Sequence, residues 1–231
     1  PNSQVVRPWA NGMDITRRSS DTWIIDFGVS MTEDDASLFE LPFEYISSHV
    51  RSVLLAKQSK WTIDKKNTQH LDKQIKTWHL LWCAREEMRK ALNGLPRFIG
   101  TPRVAKHRLF TWLDISVLPD CQIVTIARAD DTTFGILHSR FHELWSLALC
   151  SSLEDRPRYT PTTCFETFPF PTGLTPADTN NSESKIAILD SSKPTPAPVT
   201  NPETMIHAQA IATAAFKLND YREKWLNPPE W

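Results

Sequence analysis

The chain has 231 residues, enough for one large domain or one domain with an appendage, and 40% hydrophobic content including nine Trp and eleven Phe supports a substantial core. It has no run of 18 apolar residues to suggest a transmembrane helix, and its first residues, PNSQVVRPWANG, lack the basic-then-apolar pattern of a signal peptide, so a cytoplasmic protein is expected. The net charge of −1 conceals an asymmetry: residues 1–50 carry −5, residues 51–110 carry +10 and residues 111–231 carry −6, and a basic middle of this kind suits either a polyanion-binding surface or a solvated helix face.

Along the chain, Asn11-Gly12 and Asp14 have turn chemistry, and residues 22–27 (TWIIDF) read as a buried strand ending at Gly28. Thr32 followed by Glu33, Asp34 and Asp35 predicts a capped helix start, since a hydroxyl and early carboxylates suit the positive helix end. Pro42 should interrupt or restart that helix, and residues 43–93 should be mostly helical up to the stop signal Asn93-Gly94. Short strands are predicted at 97–105, 108–114, 122–128 and 134–137, with turns at Pro119-Asp120 and Asp130-Asp131. Ser139 should cap a helix whose Phe141, Leu144, Trp145 and Ala148 share one face. The expected fold is therefore α+β, a twisted, mainly antiparallel sheet flanked by helices. Residues 172–200, rich in Thr, Ser, Asn and Pro, read as a linker or a long loop ordered by contact. A last helix starting at Asn201-Pro202 should pack through Ile211, Leu218, Tyr221 and Trp225, and Asn227-Pro228-Pro229-Glu230 reads as its stop.

Chemistry-bearing motifs are sparse. The six glycines form no GxG, so the chain has no glycine-rich turn for a nucleotide-like cofactor, nor a phosphate loop, a nucleophile elbow or an HExxH zinc motif. Cys83, Cys121, Cys150 and Cys164 have no CxxC spacing and read as reduced thiols. His138 and His142, with Glu143, invite a metal reading, but His138 precedes the helix cap and no third ligand is apparent, so hydrogen bonding is the better reading. Arg97, Arg103, Lys106 and Arg108 stand with no acid from 97 to 112, and Arg156 and Arg158 flank a rigid Pro in RPRYT; such clusters grip phosphates and offer guanine bidentate contacts, although each Arg could equally form a surface salt bridge.

Five motifs occur in order: VVRPWANGMDITRR (5–18), WIIDFG (23–28), LPRFIGTPRVAKHRLFTWLD (95–114), TFGILHSRFHELW (133–145) and RPRYTPTTCFETFPFP (156–171). Together they resemble the target-recognition region of large class I adenine-N6 DNA methyltransferases, which include type IIL (MmeI-like) restriction–modification enzymes and related phage-defence methyltransferases. Residues 51–90 follow that pattern loosely. The segment 134–145 also resembles a strand-to-helix element of type I specificity subunits, with His138 in place of an amide. The resemblance implies a DNA target-recognition domain over 1–171, a linker over 172–200, and a helical segment over 201–231 that packs on the rest of a parent enzyme. It implies double-stranded DNA and the parent's methyltransferase domain as partners. S-adenosylmethionine would be bound by the parent, and this chain would carry no catalytic, cofactor or metal residue. The residues expected at DNA are Arg103, Lys106, His107, Arg108, Arg140, Arg156, Arg158, Tyr159 and Thr160. Two other readings compete: a protein-interaction module that docks on a methyltransferase, and more distantly a nuclease fragment.

Overall fold

The structure is a computed structural model, and it describes residues 2–63, 69–153, 156–179, 190 and 192–228. After a single 3-10 turn come β1 (Val6–Ala10), α1 (Gly12–Thr16) and β2 (Thr22–Ile25), then α2 (Glu33–Ser37), α3 (Glu40–Ile46), α4 (Ser52–Ile63), α5 (Gln69–Lys76) and α6 (Glu86–Leu92). The strands β3 (Arg97–Pro102), β4 (Thr111–Asp114), β5 (Leu118–Pro119) and β6 (Ile123–Ile126) follow. Then come α7 (Asp131–Leu137), α8 (Arg140–Leu149), β7 (Ser151–Leu153), β8 (Arg156–Arg158) and the long α9 (Pro202–Leu226). The fold is α+β, as the residue periodicities predict.

The chain divides into two units, residues 1–8 with 23–90, and residues 9–22 with 91–231. The first is helical and packs Val5, Phe27, Ala36, Ile46 and Trp78 together. Its helix starts where expected, because the Thr32 hydroxyl accepts from Asp35 N–H at 3.1 Å. The run breaks at Leu38-Phe39 and resumes with Pro42 in the first turn of α3, where a missing N–H costs nothing. A buried carboxylate organises the unit: Asp26 accepts from both Nη atoms of Arg89, at 2.9 and 3.0 Å.

In the second unit β3 is the central strand of an antiparallel sheet ordered β4-β3-β6, with Phe98 opposite Leu113 and Ile99 opposite Ile126. Pro119 falls in a short strand, not a turn: β5 runs parallel to the end of β1, with Trp9 beside Leu118 and Ala10 beside Pro119. Residues 134–137 belong to α7, which corrects the expected strand and with it the likeness to a strand-to-helix element. The cause is Asp130, whose side chain caps the helix by accepting from Thr133 N–H at 2.7 Å, so the acidic pair is a helix start. Ser139 caps α8 and Asn201 caps α9 with Pro202 in its first turn, both as expected.

The helix α9 packs on α7 through Ala208, Ala212 and Ala215 with Ile211, whereas Leu218, Tyr221 and Trp225 are exposed, Trp225 by 84%. Of the four residues the sequence offers for docking, Ile211 packs on α7, and Leu218, Tyr221 and Trp225 keep much of their surface exposed. Small residues are buried because α7 comes so close that Gly135 faces Ile211 and Ala215. The described part of 172–200 is ordered by contact: Thr195 N–H donates to Asp131 (2.7 Å), Ala197 N–H donates to the Thr132 hydroxyl (2.9 Å), and Arg128 donates to the Pro176 and Thr179 carbonyls. Residues 180–189 of that segment, and Pro229, Glu230 and Trp231 of the expected helix stop, lie outside the described residues.

Candidate nucleic-acid interface

The site grows from the loop that leaves β3. Thr101 and Pro102 end the sheet, and residues 103–110 turn out of it before β4. Arg103 is pinned at both ends of its residue, N–H to the Gln122 carbonyl (2.6 Å) and Nε to the Cys121 carbonyl (3.2 Å). The loop is joined to β8 by Tyr159 N–H on the Arg103 carbonyl (2.8 Å), Ala105 N–H on the Pro157 carbonyl (3.4 Å) and a bridge between Val104 and Arg158. On the other side stands α1, closed by a reciprocal cap in which Asn11 and Asp14 side chains each accept a backbone N–H of the other's end, both at 2.7 Å for Met13 and Asn11. The C-terminal end of α1 and the residues just after it are tied to α9, since Arg222 donates to the Ile15 carbonyl (2.9 Å) and Arg18 to that of Leu226 (2.6 Å).

Between loop, α1 and β8 lies an open depression of about 730 Å³. Arg17, Lys106, His107 and Arg156 line it, with the exposed side chains of Met13 and Gln122 between them, and no Asp or Glu lines it among the described residues. Three formal positive charges and a titratable ring around one hollow attract a polyanion.

The expected DNA-facing residues do not all arrive there. Lys106 and His107 are exposed at the loop tip and Arg156 is exposed at the start of β8, all three on the depression. Arg158 shares the exposed face of β8 with Arg156, and Arg103 is half-buried beside the loop's root. Arg140 is exposed on α8, where it donates to Glu143 at 2.6 Å, and does not line the depression. Thr160 is half-buried, and its carbonyl accepts the N–H of Cys164 at 2.8 Å. Arg108 and Tyr159 are corrections. Tyr159 is 1% exposed within the main core, its ring lies 4.9 Å below the Arg108 guanidinium, and its hydroxyl is 3.1 Å from His142 Nε2. Arg108 turns inward to donate to the Thr101 hydroxyl (3.0 Å) and to the Pro102 and Pro157 carbonyls, and burial pushes its guanidinium down. A largely buried guanidinium needs acceptors for its N–H groups, and these three oxygens supply them on both Nη atoms. Glu154 and Asp155, the acids that precede Arg156 in sequence, lie outside the described residues.

The histidine pair is structural. His142 is fully buried; its Nδ1–H donates to the Leu137 carbonyl (3.0 Å), which leaves Nε2 to accept from Tyr159. Phe110 N–H donates to His138 Nε2 at 3.2 Å. Burial pushes both imidazoles down to about 4, so both are neutral near pH 7. Among the described residues no three His, Cys, Asp or Glu converge as metal ligands, the four cysteines are unpaired with one another, and no helix is long and apolar enough to cross a membrane.

Sequence reasoning missed Arg17 and Gln122. Arg17 follows the capped turn NGMDIT, a signal that fixes its place after α1, but only the packing of α1 on β3 brings it near Lys106.

No curated protein matches the chain. A solved structure of the type IIL restriction-modification enzyme MmeI in complex with DNA matches all of it with a TM-score of 0.57 at 16% identity, a likeness of fold. The chain spans 29% of the length of that enzyme's chain. The family described as the MmeI target recognition domain matches residues 48–172, including the stretch 51–90 where the motifs are loosest. That match takes in more than half of the 231 residues, and the chain belongs to the MmeI target recognition domain family.

Proposed function

We propose that this chain is the sequence-specific DNA-recognition part of a larger, cytoplasmic, S-adenosylmethionine-dependent adenine-N6 DNA methyltransferase of the type IIL kind, serving restriction–modification or related phage defence. The observation that carries the reading is the basic depression, lined by no Asp or Glu among the described residues, to which the family-matched stretch contributes Lys106, His107, Gln122 and Arg156. Lys106, Arg17 and Arg156 would hold phosphates, while the exposed amide of Gln122 has the donor–acceptor pair that suits an adenine edge. Arg103, Arg158, His107 and Thr160 would flank this surface. Methyl transfer is assigned to the parent's other domain, because the six glycines here form no GxG turn of the kind such a cofactor uses. Residues 1–171 would form the recognition domain and 172–200 the connection. From 201–231, the exposed Leu218, Tyr221 and Trp225 of α9 would pack on the rest of the enzyme.

The test is fluorescence anisotropy with duplex DNA over a salt series. Binding should weaken steeply with salt, because each neutralised phosphate releases counterions with a slope of roughly 0.9. Lys106→Ala should weaken all sequences about equally and flatten the slope by roughly one such step. Salt-independent binding, or a Lys106→Ala slope equal to wild type, would instead favour a protein-interaction module.

A further inference from the structure

Loop 103–110 and β8 both supply the depression, Lys106 and His107 from one and Arg156 from the other, and they are far apart in sequence. Two backbone hydrogen bonds join them, from Ala105 to Pro157 at 3.4 Å and from Tyr159 to Arg103 at 2.8 Å, the first of them long. Arg108 spans the same seam. One Nη atom donates to Thr101 and Pro102 at the end of β3, the other donates to Pro157 in β8 at 3.2 Å, and the guanidinium plane lies over the Tyr159 ring. Tyr159 is in turn anchored through His142 to the end of α7. We propose that Arg108 is a positioning residue for DNA recognition: without touching DNA, it clamps the 103–110 loop to β8 and so sets the spacing between Lys106 and Arg156. The inference rests on the DNA-recognition reading above.

The chemistry restricts what can replace it. Only a forked, planar, permanently charged group reaches carbonyls on two segments while stacking on a ring between them. Lysine keeps the charge but is a point donor on a flexible stem. Arg108→Lys therefore separates positioning from charge.

The experiment uses the full chain with Arg108→Lys, read by amide hydrogen exchange without DNA and by anisotropy with duplex. Loss of one arm of the fork should speed exchange at the Ala105 and Tyr159 amides by roughly tenfold or more, as for a lost charge-assisted hydrogen bond. The central β3 amides of Ile99 and Thr101 should keep their wild-type rates. DNA binding should weaken roughly tenfold even though net charge is unchanged. Wild-type affinity and wild-type seam exchange in Arg108→Lys would overturn the proposal, as would faster exchange spread evenly over the second unit, which would mark a purely structural residue. Should Arg108→Lys fail to fold, the wild-type chain decides: the Ala105 and Tyr159 amides should open as one cooperative step, and independent opening would overturn the clamp. Should the wild-type chain bind no DNA while Arg108→Lys still loosens the seam, the recognition reading has failed and the clamp has not.

Discussion

Gly135→Ala would test the close packing of α7 on α9. Gly135 lies in α7, where alanine is the better helix former by up to about 1 kcal/mol, so propensity alone predicts a more stable protein. The packing against α9 opposes this. A Cβ at 135 would stand 2.7 Å from Ile211 Cγ2, 3.0 Å from Ala215 Cβ and 3.2 Å from the Ile211 carbonyl. None of these can yield cheaply: Ile211 is β-branched and stiff at χ1, Ala215 has no torsion, and the carbonyl is part of the α9 backbone. The helices must separate, and overpacking of this kind costs roughly 1–3 kcal/mol. The clash outweighs the propensity gain, leaving a net loss of roughly 1–2 kcal/mol. At roughly 2–4 °C per kcal/mol for a chain of this size, the melting temperature should fall by several degrees. The control is Gly12→Ala, where the nearest atom to the new Cβ is Gln122 Cβ at 3.6 Å, an ordinary contact. Calorimetric melting of both variants beside wild type is the assay. A Gly135→Ala protein that melts at or above the wild-type temperature would refute the packing argument.

The buried histidines set an acid limit. His138 and His142 are pushed down to about 4 from an ordinary 6.5, by burial first, so folding favours their neutral forms. Their contribution is complete above pH 6.5 and is lost as the pH falls from there towards 4, at up to roughly 1.4 kcal/mol per pH unit for each. Urea midpoints measured between pH 7.5 and 4.5 should fall accordingly, and a flat profile would contradict the burial of both rings. Tyr159→Phe keeps the ring under Arg108 but strands His142 Nε2, so urea unfolding should show a loss of roughly 1–3 kcal/mol, while the salt slope of DNA binding stays unchanged. Titration calorimetry of the chain with S-adenosylmethionine should show no binding; micromolar affinity would overturn the assignment of the cofactor to the parent.

Much of the fold was legible because its signals are local. The caps at Thr32, Ser139 and Asn201 are short side-chain-to-backbone bonds that form wherever the helix does. The antiparallel strands 97–102, 111–114 and 123–126 fall inside the predicted runs, shortened at the end of the first, the start of the second and both ends of the third. The failures are places where a distant contact decides. FGIL at 134–137 is too short to distinguish strand from helix by periodicity, and the Asp130 cap resolves it. In α9 the spacing of Leu218, Tyr221 and Trp225 describes a good apolar stripe, but α7 meets the alanine stripe beside it, which admits the closer approach.

The site was legible in part for the same reason. Ten of the fourteen Lys and Arg in residues 51–110 fall before residue 91, in the span of the first unit, and four fall in the second. Several of those charges are also committed: Arg89 to buried Asp26, Lys90 to Glu86, Arg51 to Glu33. After residue 91 the same residue type takes opposite roles within a few positions. Arg97 stacks at 3.7 Å on Trp112 and lies 3.0 Å from buried Asp131, and Arg108 turns in to backbone carbonyls. Lys106 and His107, between them, stay in solvent. Sequence shows the charge of these side chains but not which carbonyls lack a donor, and that is what draws an arginine inward. Charge in a loop is therefore a sound guide to the neighbourhood of a nucleic-acid surface and a poor guide to its members. Arg17, contributed from over eighty residues upstream, reaches the same hollow only because α1 packs against β3, while Tyr159, one residue from exposed Arg158, is spent on the core.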